Sequence, residues 1–166
     1  FKEPNTFITS GGLGTMGFEV PAALGAQVGR PDTVVWSVCG DGGFQMTMCD
    51  IATAVESGAD VKFAILNNTN LGMVHQLQDV FFEQDYMASE FSANPDFVKI
   101  AEAYGIRGIR VTKQEEVVDA VHQAMETAGP VIVDFMVKQD EIVFPFIPSG
   151  QSVKEMLEEP AHNETS

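Results

Sequence analysis

Thr33-Val34-Val35-Trp36-Ser37-Val38-Cys39 runs directly into Gly40-Asp41-Gly42-Gly43. A short, nearly continuous apolar run that ends in glycines suits a parallel strand covered on both faces. Gln45 to Ser57 follows, with Met48, Ile51, Ala52 and Val55 at helical spacing, and Gly58 closes it. Val61 to Leu66 is a second strand of the buried type, and Asn67-Asn68-Thr69-Asn70 leaves its end. Strand, helix and strand with short links define a right-handed parallel unit.

Outward from this unit the alternation continues. Met73 to Phe82 is expected to be helical and Phe82 to Ser92 irregular. Asn94-Pro95-Asp96 reads as a helix start, with Asn94 the cap and proline at the first helical position. That helix runs to Tyr104 and stops at Gly105. Gly108 to Val111 is a short strand. Thr112 and Glu115 have capping-box spacing, and Val117, Val118, Val121 and Met125 mark one face of the helix that follows. Val131 to Val137 is the final strand. The expected fold is α/β: a doubly wound, mostly parallel sheet with helices on both faces. Residues 1–150 form one domain, and Gln151 to Ser166 is an acidic tail, peripheral or frayed. Towards the start, Gly11 to Gly17 leads into a helix from Phe18 or Pro21 to Val28. A domain opening inside a glycine loop, with no strand before it, reads as lacking its N-terminal part.

Composition narrows the function. The 166 residues carry 9 Lys+Arg against 24 Asp+Glu, a net charge of −15, with 45% hydrophobic residues. Such a chain can bury a core, and its acidity argues against nucleic acid or an anionic membrane as partner. No apolar run is long enough for a membrane helix. Phe1-Lys2-Glu3-Pro4 lacks a signal-peptide pattern, and Cys39 and Cys49, both in apolar contexts, read as reduced, buried thiols. The expected location is the cytoplasm.

In an open parallel sheet, ligands sit beyond the carboxyl ends of the strands. Gly40–Gly43 and Asn67–Asn70 are two such ends, and the helix and strand between them return the chain to the same edge. Asp41 and Asn68 therefore face one point. Their hard oxygens suit Mg²⁺ or Ca²⁺. No Lys or Arg lies between Arg30 and Lys62. A phosphate at Gly40–Gly43 would thus take its balancing charge from a metal. Each piece alone also reads as ordinary turn or loop chemistry. The combination is more specific: strand, Gly-Asp-Gly, 24 residues (43 to 66), then Asn-Asn.

That combination resembles the thiamine-diphosphate motif. Gly11-Gly12-Leu13-Gly14-Thr15-Met16-Gly17-Phe18, Pro21-Ala22-Ala23, Leu71-Gly72-Met73-Val74 and Ile147-Pro148-Ser149-Gly150 extend the likeness. They are similar to the C-terminal, cofactor-binding domain of the acetolactate synthase (acetohydroxyacid synthase) large subunit. The resemblance implies Mg²⁺ held by Asp41, by Asn68 through its side-chain oxygen, and by the backbone carbonyl of Asn70. It implies a cofactor site that includes Gly14, Thr15, Met16, Gly40, Gly42, Gly43, Leu71, Gly72 and Met73, with Met16 as the apolar wedge beneath the bent cofactor. For Met16 and Met73 the residue-level alternative is a plain core methionine.

The implied activity is decarboxylation of pyruvate and transfer of the two-carbon unit to a second 2-keto acid (pyruvate or 2-ketobutyrate), in branched-chain amino-acid biosynthesis. FAD in the intact enzyme, a homo-oligomer with the cofactor at a subunit interface, and a regulatory small subunit are implied as well. The family's glutamate that promotes ylide formation lies in another domain, so no catalytic residue is assigned here. The chain is then a piece of a larger enzyme and inactive alone. Two departures stand out. Glu19 occupies a position the family fills with a small or apolar residue. Leu77 stands where the family has a tryptophan that narrows the acceptor pocket. His75 reads as a surface residue, His122 as structural or solvated, and His162 lies in the tail. A pyruvate oxidase or another 2-keto-acid carboligase is the enzymatic rival. A non-catalytic cofactor-binding or assembly module is the rival of a different class.

Overall fold

The computed structural model describes residues 2–158. Four parallel strands form one sheet: β1 (Val35–Gly40), β2 (Val61–Asn67), β3 (Arg107–Val111) and β4 (Val131–Met136). Their order is β1-β2-β4-β3. The β1–β2 register pairs Val35 with Val61 and Gly40 with Leu66, so both strands end at one level.

Six α-helices complete the unit: α1 (Glu19–Gly29), α2 (Asp41–Thr47), α3 (Ile51–Ser57), α4 (Gly72–Phe81), α5 (Phe97–Ala103) and α6 (Val117–Glu126). Side-chain alternation along the strands splits the core in two. One face carries Cys39, Phe63, Ile65 and Ile132 against Val20, Phe44, Ile51, Ala54, Phe97 and Ala101 of α1, α2, α3 and α5. The other carries Val131 and Val133, with Ala120 and Ala124 of α6. Helices therefore lie on both faces of a parallel sheet, as expected.

Several local expectations change. The helix expected over Gln45–Ser57 begins at Asp41, breaks into a 3-10 turn at Met48–Asp50, and resumes as α3. Gly58 ends α3 at a φ of 66°, in the left-handed region where glycine carries no Cβ penalty. Asp96, not Asn94, caps α5; its carboxylate accepts from the backbone N–H of Val98 and Lys99. Glu116 rather than Glu115 folds back to the Thr112 and Lys113 backbone. On α6 the buried positions are Ala120 and Ala124, while Val118 and Met125 are exposed. Small residues face the sheet because α6 packs close to it. Cys39 is buried, but Cys49 is exposed. Burial pushes the Cys39 thiol well above its ordinary range, so it stays protonated.

Beyond β4 the chain crosses the strand ends. Asn70 Nδ2 donates to the Gln139 backbone carbonyl and Gln139 Nε2 donates to Asn70 Oδ1, while Gln76 pairs through its amide with both the N–H and the carbonyl of Val143. Leu157 pairs with Phe146 through two backbone hydrogen bonds, so the first part of the tail is tied back rather than frayed. His162 and the tail from residue 159 on lie outside the described residues. Among the described residues no helix is long and apolar enough to cross a membrane.

Candidate functional site

Phe44 fixes the start of α2. Its ring is fully buried and meets Phe63 and Phe97 edge-on, at centroid distances of 6.1 and 5.5 Å. Three residues earlier, Asp41 is the first residue of the helix and is wholly buried. Its Oδ2 accepts from Asn94 Nδ2 at 2.7 Å. Its Oδ1 is buried with no hydrogen-bond partner. Burial raises the Asp41 carboxyl above its ordinary range. The Asn94 amide and the nearby N–H groups of Gly42 and Thr69, none of them in hydrogen-bonding geometry with Oδ1, oppose that rise.

The Thr69 contact places the carboxylate of Asp41 against the end of β2. Asn94 Nδ2 also reaches Asn67 Oδ1, at 2.9 Å. Asn68, half-buried beside them, accepts from the Asn70 N–H through Oδ1 at 3.1 Å. Its other amide atom lies 3.0 Å from where a Cβ on Gly72 would stand. Because β1 and β2 end at one level, with Gly40 paired to Leu66, Asp41 and Asn68 follow adjacent strand ends at one edge of the sheet. The Asn70 side chain is fully engaged with Gln139. Between these residues Thr69 takes a φ of 57°. A β-branched residue is strained there, and such strain concentrates at functional sites.

Apolar residues close over the same edge. A Cβ on Gly42 would lie 2.6 Å from Leu71 Cδ2, 3.2 Å from Phe91 Cζ and 3.3 Å from Met16 Cε. Met16, Leu71 and Phe91 therefore pack directly onto the start of α2, where only glycine leaves them room. Thr47 Oγ1 donates to the Gly17 carbonyl at 2.9 Å and ties the glycine loop down. Gly14 and Thr15 lie in an exposed turn closed onto Ser10. Gly40 is exposed at the N-cap of α2, and Gly43 is buried. Glu19 Oε1 is buried without a hydrogen-bond partner, 2.6 Å from where a Cβ on Gly43 would stand.

Helix α4 is inverted: His75 and Gln76 face the body, while Met73, Val74, Leu77 and Phe81 are exposed. Met73 and Leu77 share the outer side, as their spacing requires. His75 is not a surface residue. It stacks on Tyr86 at 4.2 Å, with Nε2 3.4 Å from Glu90 Oε1. His122 is exposed. An open groove of about 530 Å³ lies near the far end of α4, lined by Gln78, Phe81, Phe82, Glu83, Asp85 and Met87, and includes none of the candidate cation- or cofactor-binding residues.

Sequence reasoning missed Asn94, Gln45 and Asp134. Gln45 Nε2 donates to Asn94 Oδ1 at 2.9 Å, and Asp134 accepts from Asn67 Nδ2 at 3.0 Å. The one available signal was an aspartate inside an otherwise apolar strand.

Oxygen-bearing side chains at two adjacent strand ends and an unpartnered buried carboxylate oxygen suit a hard divalent cation. Residues 1–135 match the family described as "Thiamine pyrophosphate enzyme, C-terminal TPP binding domain", and the chain belongs to that family. Within it, the chain is 45% identical over 161 residues to an acetolactate synthase of Mycobacterium leprae, covering 94% of this chain and 26% of that protein. It is 47% identical over 157 residues to the acetolactate synthase large subunit of Corynebacterium glutamicum, covering 92% and 25%. To the mitochondrial acetolactate synthase catalytic subunit of Saccharomyces cerevisiae it is 44% identical over 157 residues, covering 95% and 23%. The chain therefore spans about a quarter of the length of these curated relatives.

Proposed function

We propose that this chain is the Mg²⁺- and diphosphate-holding part of an acetolactate synthase catalytic subunit. The observation that carries this reading is Asp41 Oδ1, buried and unpartnered at the shared end of β1 and β2. Asp41, Asn68 and the Asn70 carbonyl would hold Mg²⁺. Gly42, Gly43, Leu71, Gly72 and Met73 would line the diphosphate, with Gly14, Thr15 and Gly40 at its edge and Met16 against the ring system. Thiamine diphosphate, when bound, supplies a carbon centre that takes up the electrons released when pyruvate loses CO₂. Residues of this chain bind and orient it, and Met16, Leu71 and Phe91 keep water from one side. The proton-transfer glutamate belongs to a part of the protein beyond this chain. The reading includes a homo-oligomer, a regulatory small subunit, FAD (to which no residue here is assigned) and a cytoplasmic location.

The test is product analysis on the full-length protein with pyruvate, Mg²⁺ and thiamine diphosphate. Acetolactate supports the reading, whereas oxidative decarboxylation that consumes O₂ would replace it with a pyruvate oxidase. Residues 1–166 alone should form negligible acetolactate, because positioned proton transfer contributes about 10²–10⁴-fold. Robust turnover by the short chain would show the machinery to be misplaced.

Substrate choice turns on Leu77. Leucine leaves space that an indole would fill, one turn from Met73 on the exposed side of α4. The extra methylene of 2-ketobutyrate can supply roughly 1–3 kcal/mol of discrimination only where a pocket grips it. The full-length enzyme should therefore show weak preference for 2-ketobutyrate, and Leu77→Trp should raise it. A competition assay with both acceptors reads the product ratio, and an unchanged ratio would remove Leu77 from the acceptor pocket.

A further inference from the structure

Behind the candidate cation ligands runs a string of polar side chains. Its far end is Arg110 on β3, whose Nε donates to Asp134 Oδ2 at 3.1 Å and whose terminal nitrogen donates to Asp96 Oδ1 at 2.6 Å. Asp134 is fully buried in β4. Paired with the guanidinium, its carboxylate only accepts. Asn67 must then turn its Nδ2 to Asp134 Oδ1, which leaves Asn67 Oδ1 facing Asn94. Asn94 answers with Nδ2, and the second hydrogen of that group goes to Asp41 Oδ2. On the other side Gln45 Nε2 donates to Asn94 Oδ1 and, at 3.3 Å, to the Asp41 carbonyl. Each amide has one sense that satisfies both neighbours, and the sense is passed from Asp134 to Asp41. The result is asymmetric. Asp41 Oδ2 is occupied, and Oδ1 is not.

We propose that Asn94 is a positioning residue: held in one sense by Asp134 through Asn67, its amide occupies Asp41 Oδ2 and so presents Oδ1 alone to a divalent cation. The inference rests on the reading of Asp41 as a cation ligand. Asn94 touches neither cation nor cofactor in this role; it acts through the carboxylate. Removing the amide frees Asp41 to rotate and to spread its charge over two oxygens. Removing the acceptor at residue 134 reverses the string. In Asp134→Asn the new amide would face Asn67 with a donor. Asn67 and Asn94 would then turn, bringing the Asn94 carbonyl against Asp41 Oδ2.

The experiment is a Mn²⁺ titration followed by electron paramagnetic resonance, on the full-length protein with thiamine diphosphate present. Partners of this kind behind a ligand typically set 10–100-fold of metal affinity, so Asn94→Ala should weaken Mn²⁺ by about that factor. Asp134→Asn, which keeps the side chain's shape, should weaken it in the same direction. A merely structural role would lower the melting temperature yet leave Mn²⁺ affinity, measured well below the melt, unmoved. With wild type binding and Asp41→Ala defective, an Asn94→Ala affinity within about twofold of wild type overturns the positioning role. If Asn94→Ala does not fold, Asp134→Asn decides alone by the same criterion. Wild type failing to bind Mn²⁺, or Asp41→Ala binding as wild type does, overturns the cation-site reading itself.

Discussion

Asp41→Ala in the full-length protein is expected to reduce Mg²⁺-dependent binding of thiamine diphosphate by at least about 100-fold, or about 2.7 kcal/mol at 25 °C. The substitution removes the buried carboxylate that follows β1, including its unpartnered Oδ1, and strands the donor group of Asn94. No Lys or Arg stands between Arg30 and Lys62 to take over the charge balance. Asp41→Asn gives a sharper reading. Burial raises the Asp41 carboxyl above its ordinary range. Stability from the neutral form is therefore present below the unfolded value and lost as pH rises through the raised folded value. At neutral pH, without a cation, the ionised group weighs against the fold. Without ligands, Asp41→Asn should thus melt no lower than wild type at pH 7, yet lose the rise in Tm that Mg²⁺ and cofactor give wild type. Thermal shifts with and without both ligands check this, and a rise retained in the variant would rule out Asp41 as the ligand.

The sheet was legible because its central strands are buried on both faces, and continuous apolar runs such as Phe63–Leu66 mark them as strands. The place of the candidate site was legible for a related reason. Parallel strands with short crossovers deliver their carboxyl ends to one edge, so Asp41 and Asn68 could be joined by topology alone. What surrounds them was not. Two glycines after Asp41 argue against a helix on propensity, yet α2 begins there. Close approach by Leu71 and Met16 needs the missing Cβ at Gly42, and the buried ring of Phe44 holds the turn in place. Asn94-Pro95-Asp96 offers two residues able to cap a helix. Asp96 takes the cap with its two backbone acceptances, which releases Asn94 to the site. A cap signal cannot show which of two candidates is employed elsewhere. Helix α4 misled in the same manner. His75 reads as a surface residue, but it and Gln76 turn inward because Val143, Glu90 and Tyr86 supply them with partners.

Lys62→Met is expected to cost the fold about 2–6 kcal/mol, from about 1–3 kcal/mol for each of the two carbonyls it leaves unsatisfied. Lysine in the middle of a parallel sheet is rare, and here the whole side chain is buried in β2. Its three donors are fully used. Nζ bonds the Thr127 and Gly129 carbonyls at 2.7 Å each, and the Asp60 carboxylate. The first two bonds tie the turn between α6 and β4 to the start of β2, where the two strands pair. Methionine matches the length and apolar stem but supplies no donor, so two carbonyls and a carboxylate lose their partner at once. The three losses are unequal. Asp60 is 39% exposed and can turn to water, so Asp60→Ala alone should cost about 1 kcal/mol or less, as for exposed pairs. Most of the Lys62 effect must then come from the two carbonyls, at about 1–3 kcal/mol for each group left unsatisfied. Native-state hydrogen exchange at the β2 and β4 amides of the full-length protein reads the opening free energy directly. If Lys62→Met lowers it by less than about 1 kcal/mol, the three bonds are not what holds β2 to the α6–β4 turn. If Asp60→Ala matches the lysine substitution, the ion pair rather than the carbonyl clamp carries the stability.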